Sequence, residues 1–497
     1  MLIKLILICI AVIFGTNFQF YSITAINNPH DVLIEWINET AMRQNHTVVT
    51  VPQIWTLTAA SFFIGCVPGA ILISTIASVL GRRDGLIFCG LICCIGGLMQ
   101  ALSKFANSVA LLIAGRFLIG VSVGLAAGLS PMFLTEISPK RLRGAFGCSM
   151  TLAMFSGQVF VLTITLPSLA GNIDYWPLDL SAVPISTSIL MCIILLFAHE
   201  SPRHLYLALG RFECAKASIR FYHGRDSSDD AAKALEELSR QLKSTECSID
   251  SPNGLRTANW IELFTKEKYR RMTTIVLVAM FGLHISGVFP IMTYSSNIFE
   301  QIGFSVNIAK YISIALSTAP LLVQIPLMYA VERLGRRPLI ITGLYGTLIS
   351  LAIMSISSLL SSYYHQYVRY ISYVAVSSLF SFQIFFCIEA PIPLFLASEL
   401  FEQDARASAT ALAHTVRFAI GAVLVLSYFS FKTAVGISAS FLPFIIGTLF
   451  CAVFMTLFLP ETKNKSPREL NQELAVTLPF CKLITGVIHP INGISLR

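Results

Sequence analysis

The feature that most constrains the fold of this chain is a series of about twelve apolar blocks, each close to 20 residues long. An apolar helix of about 20 residues can span the hydrocarbon core of a bilayer. Only 12% of the 497 residues are charged, compared with roughly 25% in a soluble domain. The chain is therefore predicted to be an all-α polytopic membrane protein with twelve transmembrane helices. The predicted spans cover residues 4–26, 54–80, 86–105, 109–130, 145–168, 181–198, 273–294, 311–330, 339–360, 371–398, 408–430 and 436–459.

The net charge of +8 does not indicate nucleic-acid binding, because the basic residues lie in particular loops. Alternate connections carry them, in "GRRDG" from residue 81, "PKRLRG" from 139, a charged stretch at 199–271, and "ERLGRRP" from 332. By the positive-inside rule, these loops and both termini of the multi-pass protein are predicted to be cytoplasmic. The plasma membrane is the expected location, although the charge pattern does not identify which cell membrane it is. The first external loop then holds two predicted glycosylation sites, Asn38 and Asn45.

The twelve cysteines lie in apolar segments or predicted cytoplasmic regions, so no disulfide framework is expected. Their spacing matches no metal site, and no cofactor is predicted. The chain carries no nucleophile elbow and no His/Asp cluster at a span end, so an enzyme is not predicted. The N-terminal segment "MLIKLILICIAVIFG" lacks a small-residue cleavage site, which favours an uncleaved first span over a signal peptide.

The two halves of the chain repeat one another. "LGRRDGLIFCGL" after the second span corresponds to "LGRRPLIITGLY" after the eighth, and "HESPR" after the sixth to "PETKN" after the twelfth. Repeats with the same orientation imply two six-helix bundles about an axis along the membrane normal, with a solute site at their interface. The predicted domains are an N-terminal bundle (1–198), a cytoplasmic helical linker (199–272), a C-terminal bundle (273–462) and a cytoplasmic tail (463–497).

These motifs resemble the sugar porters of the major facilitator superfamily (MFS), specifically the facilitative glucose transporter family. The resemblance covers about residues 15–470. It is carried by "LIGVSVGLAAGLSPMFLTEISPKRLR" around the fourth span, by "VERLGRRP", "HESPR", "PETK" and "SELFEQDAR", and by "TAINNPHDV" at the exit of the first span. The resemblance implies the MFS fold of two pseudo-symmetric six-helix bundles joined by a cytoplasmic helical linker.

The resemblance also implies a cytoplasmic gate of acids and arginines near helix ends. Such pairs would hold the cytoplasmic ends together while the site faces outward and would separate when it faces inward. Where the family places an acid or amide before the first GRR motif, this chain has Ser78, so a looser first-half gate is expected. The expected gate residues are Arg82, Arg83, Arg116, Glu136, Arg143, Glu200, Glu332, Arg336, Arg337, Glu399, Arg406 and Glu461.

Most amides that bind hexose in this family are replaced here. The two glutamines and the asparagine of span seven fall on Leu283, His284 and Phe289, and an asparagine–tryptophan pair of span eleven falls on Arg417-Phe418. The span-five glutamine is also absent, although Gln158 lies one turn away from its position. The candidate solute-binding residues are Gln158, His284, Phe289, Tyr294, Glu389, His414, Arg417 and Phe418.

Glu389 and Arg417 are ionisable residues within apolar spans, and such residues mark functional sites by default. We predict that they form an ion pair or a hydrogen-bonded network across the second-half cavity. Three readings remain open: a structural pair, direct contact with the solute (including an anionic group on Arg417), and proton coupling through Glu389 and His414. Proton-driven relatives carry an acid in span one where this chain has Ser22, which favours facilitated diffusion.

The predicted function is uniport of a hexose or related small polar solute by alternating access, in contact with lipid and without nucleic acid. Alternatives on the same fold are a proton-coupled transporter, an organic-anion transporter and a solute sensor that does not transport. The sequence leaves the oligomeric state open.

Overall fold

The computed structural model of the chain describes residues 2–43, 51–138, 143–166, 168–169, 174–207, 209–223, 259–401, 403–463, 465 and 469–470. Every regular element within these ranges is helical, which confirms the predicted all-α fold. Asn45, the centre of the linker and most of the tail lie outside the described residues.

Ten α-helices precede residue 224 within the described part of the chain. A 3₁₀ turn at Phe18–Ile23 continues α1. The helices are α1 (Leu2–Thr16), α2 (His30–Arg43), α3 (Val51–Ile71), α4 (Ile73–Val79), α5 (Arg83–Ser103), α6 (Val109–Ile137), α7 (Arg143–Ile164), α8 (Trp176–Leu196), α9 (Pro202–Leu207) and α10 (Phe212–His223).

Nine further helices follow the linker in the described residues. They are α11 (Trp260–Thr265), α12 (Glu267–Ile285), α13 (Val288–Gln301), α14 (Val306–Leu334), α15 (Arg336–Tyr363), α16 (Val368–Glu389), α17 (Pro391–Leu400), α18 (Gln403–Ser440) and α19 (Leu442–Phe458). Ten segments of the described chain are long and apolar enough to cross a membrane, and two shorter apolar helices, Ser149–Ile164 and Leu442–Phe458, complete the twelve predicted spans.

The same pairs of spans pack together in both halves. In the first half α6 packs on α3 and α5, and α8 packs on α5 and α1; in the second half α16 packs on α14 and α15, and α19 packs on α15 and α12. These are equivalent positions in the two repeats. Spans two and four touch backbone to backbone at Gly65, where a Cβ would lie 2.0 Å from the Phe117 carbonyl oxygen. Such close contact between small residues is a common way to stabilise helix pairs in lipid.

The halves meet through two equivalent contacts, α3 against α18 and α7 against α14. Three spans beside this interface are broken near their middle. Span one changes to a 3₁₀ turn after Thr16, span seven breaks between α12 and α13, and span ten breaks between α16 and α17. Broken spans expose backbone polar groups, which are tolerated in a membrane only where they line a cavity or are buried in protein.

Gly287 makes the break of span seven possible. Its φ of +82° lies in the left-handed region, and a Cβ there would come within 2.4 Å of the Phe444 ring. A side chain would therefore suffer both backbone strain and a clash.

Candidate functional site

Two adjoining cavities lie at the interface between the halves. Both are lined by Thr151 and Met154 of α7, Leu394 of α17 and Arg417 of α18. Their volumes are about 20 and about 40 Å³. A water molecule needs about 10–15 Å³ on this measure, so the cavities have room for only a few waters and would have to widen to admit a ring-sized solute.

Arg417 and His284 form the polar centre of the smaller cavity. Nε of Arg417 donates to Nε2 of His284 over 3.1 Å, and Nδ1 of His284 lies 2.9 Å from the Met280 carbonyl oxygen. The carbonyl can only accept, so Nδ1 carries the proton and Nε2 is the lone-pair acceptor that Arg417 requires. His284 is thus a neutral residue that orients the guanidinium. It makes one hydrogen bond inside its own helix, to the Met280 carbonyl, and one to Arg417.

Aromatic rings enclose the guanidinium of Arg417. Its central carbon lies 5.4 Å from the ring centre of Phe20 and 5.0 Å from that of Phe418, and these two rings stack at 6.4 Å. Phe289 packs against His284 with ring centres 4.6 Å apart. Cation–π contact stabilises an arginine whose other surroundings are apolar.

The predicted pairing of Glu389 with Arg417 is wrong in this structure. Oε2 of Glu389 is buried without a hydrogen-bond partner among the described residues, and no ion pair joins the two side chains there. Glu389 instead packs on α15, where a Cβ on Gly343 would lie 2.6 Å from the Glu389 Cβ. The rotation of α16 places the Cβ of Glu389 against span nine, and Glu389 is not among the residues that line the two cavities.

The other predicted site residues divide into three groups. Gln158 and Phe289 line the smaller cavity, and His414 lines the larger one, where its ring stacks on Phe418 at 6.2 Å. Oε1 of Gln158 has no partner among the described residues, so this amide can still accept a hydrogen bond. Tyr294 lines neither cavity and stacks on Tyr428 with ring centres 5.9 Å apart.

Sequence reasoning missed Thr151, Met154 and Phe20 as cavity residues. Thr151 lies seven residues before Gln158 on α7, which is two helical turns, so the same helix face could have indicated it. Its hydroxyl accepts a hydrogen bond of 2.6 Å from Nε2 of Gln324 and thereby links α7 to α14. Phe20 carries no signal that separates it from the many packing phenylalanines.

Four residues at one end of the first half form a charged network, which we call the first-half network: Arg82, Arg83, Glu136 and Glu200. Nε of Arg82 lies 3.2 Å from Oε2 of Glu136. The carboxylate of Glu200 accepts the backbone N–H groups of Arg82 and Arg83 over 3.0–3.1 Å. Ser201 donates to Glu136, so the two carboxylates are tied into one network.

The second half repeats this geometry in a second-half network of Arg336, Arg337, Glu399 and Glu461. Nη2 of Arg336 lies 3.1 Å from Oε1 of Glu399, and the Glu461 carboxylate accepts the N–H groups of Arg336 and Arg337 at 2.9 and 3.1 Å. Thr462 donates to Glu399 over 2.6 Å, as Ser201 does to Glu136. The structural repeat therefore extends to individual hydrogen bonds.

The acids that hold the backbone in the two networks differ in pKa. Burial raises the pKa of Glu200 above its ordinary value despite its backbone donors. Burial also acts on Glu461, but the N–H groups of Arg336, Lys463 and Arg337 outweigh it and lower the pKa. The carboxylate of Glu200 in the first half is thus more strongly affected by burial than the carboxylate of Glu461 in the second half.

Every described ion pair of the two networks joins helices of one half. Contact between the halves at this end comes from α18 packing on α4 and from α17 packing on α7. Among the described residues, the networks therefore fix the end of each bundle. The side chains of Arg143 and Glu332 lie outside the described residues, and Arg406 donates to the Phe401 carbonyl oxygen over 3.4 Å.

The prediction that Arg116 belongs to this gate is wrong. Arg116 precedes Glu136 by 20 residues on α6, which is about 30 Å, so it lies towards the opposite end of the span. Its side chain is buried and donates to the carbonyl oxygens of Thr58 over 2.8 Å and Ser22 over 3.2 Å. Arg116 thus ties spans one, two and four together.

Buried amides and hydroxyls join the halves at the end away from the networks. We call this group the clasp, and it comprises Asn27, Asn28, Ser295, Ser296 and Ser313. Nδ2 of Asn27 donates to Oγ of Ser295 over 2.6 Å, and Oγ of Ser296 donates to Oδ1 of Asn28 over 3.2 Å. The clasp connects the exit of span one to α13. Nearby, Asn38 is half-buried on α2, and its glycosylation stays a prediction.

The chain is similar in sequence to a known protein family. Residues 8–474 match the family described as "Sugar (and other) transporter". The chain is 31% identical over 417 residues to solute carrier family 2, facilitated glucose transporter member 2 of Gallus gallus, covering 84% of this chain and 75% of that protein. It is 32% identical over 442 residues to the Mus musculus protein of the same name, covering 88% and 80%.

Solved structures show the same fold. The proton:xylose symporter XylE bound to 6-bromo-6-deoxy-D-glucose is similar with a TM-score of 0.76 at 22% identity, covering 95% of this chain and 99% of that one. XylE from E. coli in a partially occluded inward-open conformation gives 0.73 at 22% identity, covering 93% and 99%. This chain is a multi-pass membrane protein of the MFS fold and belongs to the sugar transporter family.

Proposed function

We propose that the chain is a facilitative transporter that carries a hexose or a related small polar solute across the membrane by alternating access. The observation that carries this proposal is the position of the cavities. They lie between two equivalent bundles, beside the breaks of three spans, and residues of both halves line them. A site between bundles that can rock is the arrangement expected of a secondary transporter.

Closure at both ends supports alternation. The clasp joins the halves at one end, and α18 packing on α4 joins them at the other. Opening either end would expose the same cavities to one side of the membrane. Because facilitated glucose transporters are among the relatives, we take the solute to be a hexose or a related small polar solute. We also take the two networks and both termini to be cytoplasmic, and the membrane to be the plasma membrane.

Uniport is favoured over proton symport by the residues of the site. None of the described residues that line the two cavities is an aspartate or glutamate. Glu389 faces span nine, and the first span carries no acid between Lys4 and Asp31. A coupled proton would need a titratable group that senses the solute, and the described cavities offer only the histidines.

The test is flux into liposomes that contain the purified protein. We would measure uptake of radiolabelled glucose, xylose, a polyol and dehydroascorbate at external pH 6 and pH 8, with binding measured in parallel. Saturable flux that does not depend on the pH gradient supports uniport. Flux driven by the pH gradient and lost in Glu389→Gln would replace uniport by symport, and binding without flux of any solute would make the protein a sensor.

A further inference from the structure

We propose that the solute of this transporter carries an anionic group, which binds to the guanidinium of Arg417. The class that fits is a small ring compound with one carboxylate. This inference rests on the proposed transport function and names the chemistry of its solute.

The charge on Arg417 has no counter-ion among the described residues. The side chain is 5% exposed, and its one described hydrogen bond goes to the neutral acceptor His284. No described carboxylate forms an ion pair with it, and Glu389 packs elsewhere. An unpaired charge inside a membrane is costly, so a site that keeps one requires a compensating ligand or a structural reason.

The two terminal nitrogens of Arg417 are the donors that remain available. Neither Nη1 nor Nη2 donates to any described residue, and the side chain lines both cavities. His284 holds Nε, while Phe20 and Phe418 hold the guanidinium plane by cation–π contact. A guanidinium oriented in this way presents a planar fork of N–H donors, which matches the two oxygens of a carboxylate.

The other residues that line the smaller cavity indicate how polar the rest of the solute can be. In the smaller cavity the polar side chains besides Arg417 are Thr151, Gln158 and His284, and the remainder is aliphatic, aromatic or thioether. A hexose would leave several hydroxyls without partners against such walls, and buried unpaired polar groups weaken binding strongly. Among hexoses and related small polar solutes, a ring with fewer hydroxyls and one carboxylate therefore fits this lining better than a neutral hexose.

The experiment compares an acid with its neutral isostere. Binding and liposome flux of nicotinate and nicotinamide would be measured for the full chain, with glucuronate and glucose as a second pair. We expect each acid to bind at least about tenfold more tightly than its neutral partner. The preference should disappear in Arg417→Gln and be partly kept in Arg417→Lys. Arg369→Gln, which changes an exposed arginine of α16 in the same way, should bind as the unchanged protein does.

Each outcome separates the two proposals. Equal binding of acid and neutral partner, or an acid preference that survives in Arg417→Gln, overturns the anion site while transport of neutral sugar leaves the proposed function standing. An acid that binds through Arg417 but does not cross the membrane supports the anion site and overturns transport. If Arg417→Gln does not fold, the acid preference of the unchanged protein is compared with that of Arg417→Lys. A preference that is reduced in Arg417→Lys supports the anion site, and an equal preference overturns it.

Discussion

Nε of Arg417 donates to Nε2 of His284 over 3.1 Å, and this bond connects the eleventh span to the broken seventh span. His284 can accept it only because the Met280 carbonyl holds the proton on Nδ1. One bond inside a helix thus sets the tautomer for a bond between helices, and the residues of both belong to the second half.

Loss of the acceptor at position 284 should destabilise the protein. His284→Phe keeps a ring beside Phe289 but leaves Nε of Arg417 buried without a partner, at a cost of about 1–3 kcal/mol. His284→Gln, which retains an acceptor, should cost less. The measurement is thermal unfolding of the purified variants in one detergent. Equal losses for the two variants would show that the bond contributes little.

The first-half network should contribute more stability than the second-half network, contrary to the looser first-half gate expected from Ser78. The side chains of Arg82 and Glu136 are 18% and 10% exposed, whereas those of Arg336 and Glu399 are 24% and 27% exposed. Hydrogen bonds between charged groups contribute about 1.5–3 kcal/mol, and solvent reduces this. Glu136→Gln is therefore expected to lower the unfolding temperature more than Glu399→Gln. The reverse order would contradict the packing of the two networks.

The contributions of Glu461 and Glu200 to the stability of the fold should change with pH in opposite directions. The folded-state pKa of Glu461 is lowered by its backbone donors, so its contribution is present above the unfolded value of about 4.3 and is lost as pH falls through the folded value. Burial raises the folded-state pKa of Glu200, so its contribution is present below about 4.3 and is lost as pH rises through the folded value.

Unfolding temperatures between about pH 2.5 and about pH 8 would check these signs, because the change for Glu461 lies below about pH 4.3 and that for Glu200 lies above it. The difference between the unchanged protein and Glu461→Gln should grow in favour of the unchanged protein as pH rises. For Glu200→Gln the same difference should decline with rising pH. Parallel slopes for the two variants would mean that the environments of the two acids are alike.

Gly287→Ala should damage the fold, because both the positive φ and the contact with Phe444 oppose a Cβ. Strain of this kind costs about 1–3 kcal/mol, and the clash adds to it. Gly210→Ala is the matched control, since Gly210 also has positive φ, +61°, but no atom lies within 4 Å of its Cβ position. Similar losses of folded protein in the two variants would show that backbone strain alone matters at the break.

Much of the architecture could be predicted because its signals are local. Apolar runs indicate spans whatever their neighbours are, and the motif acids Glu136, Glu200, Glu399 and Glu461 lie at span ends where only a few partners are within reach. The repeat in the sequence then predicted that each pair would occur twice.

The rotation of a helix about its axis is not a local property, and the wrong predictions follow from this. Glu389 and Arg417 lie on consecutive spans, yet α16 turns Glu389 towards Gly343 of span nine. In an apolar helix no polar face indicates which side meets the cavity, so adjacency in the chain could not settle the partner. The prediction for Arg116 was wrong for a simpler reason. An arginine is the residue type expected in the gate, but Arg116 lies about 30 Å from Glu136 along α6, too far to belong to it.

The central claim is that one cavity is exposed to each side of the membrane in turn, and access to Thr151 tests it most directly. A thiol introduced by Thr151→Cys would lie on the wall of both cavities. Asn27→Cys and Ser295→Cys would allow an oxidative cross-link across the clasp, where the original side chains are 2.6 Å apart. The same clasp variant without Thr151→Cys controls for the native cysteines.

Modification by a membrane-impermeant thiol reagent, applied to either side of sealed oriented vesicles, is the deciding measurement. The account predicts that the thiol at 151 is reached from both sides when the clasp is reduced. After cross-linking it should be reached only from the side of the two networks, and reduction should restore access from the other side. Access from both sides that persists after cross-linking, or access from one side only in the reduced protein, would contradict alternating access.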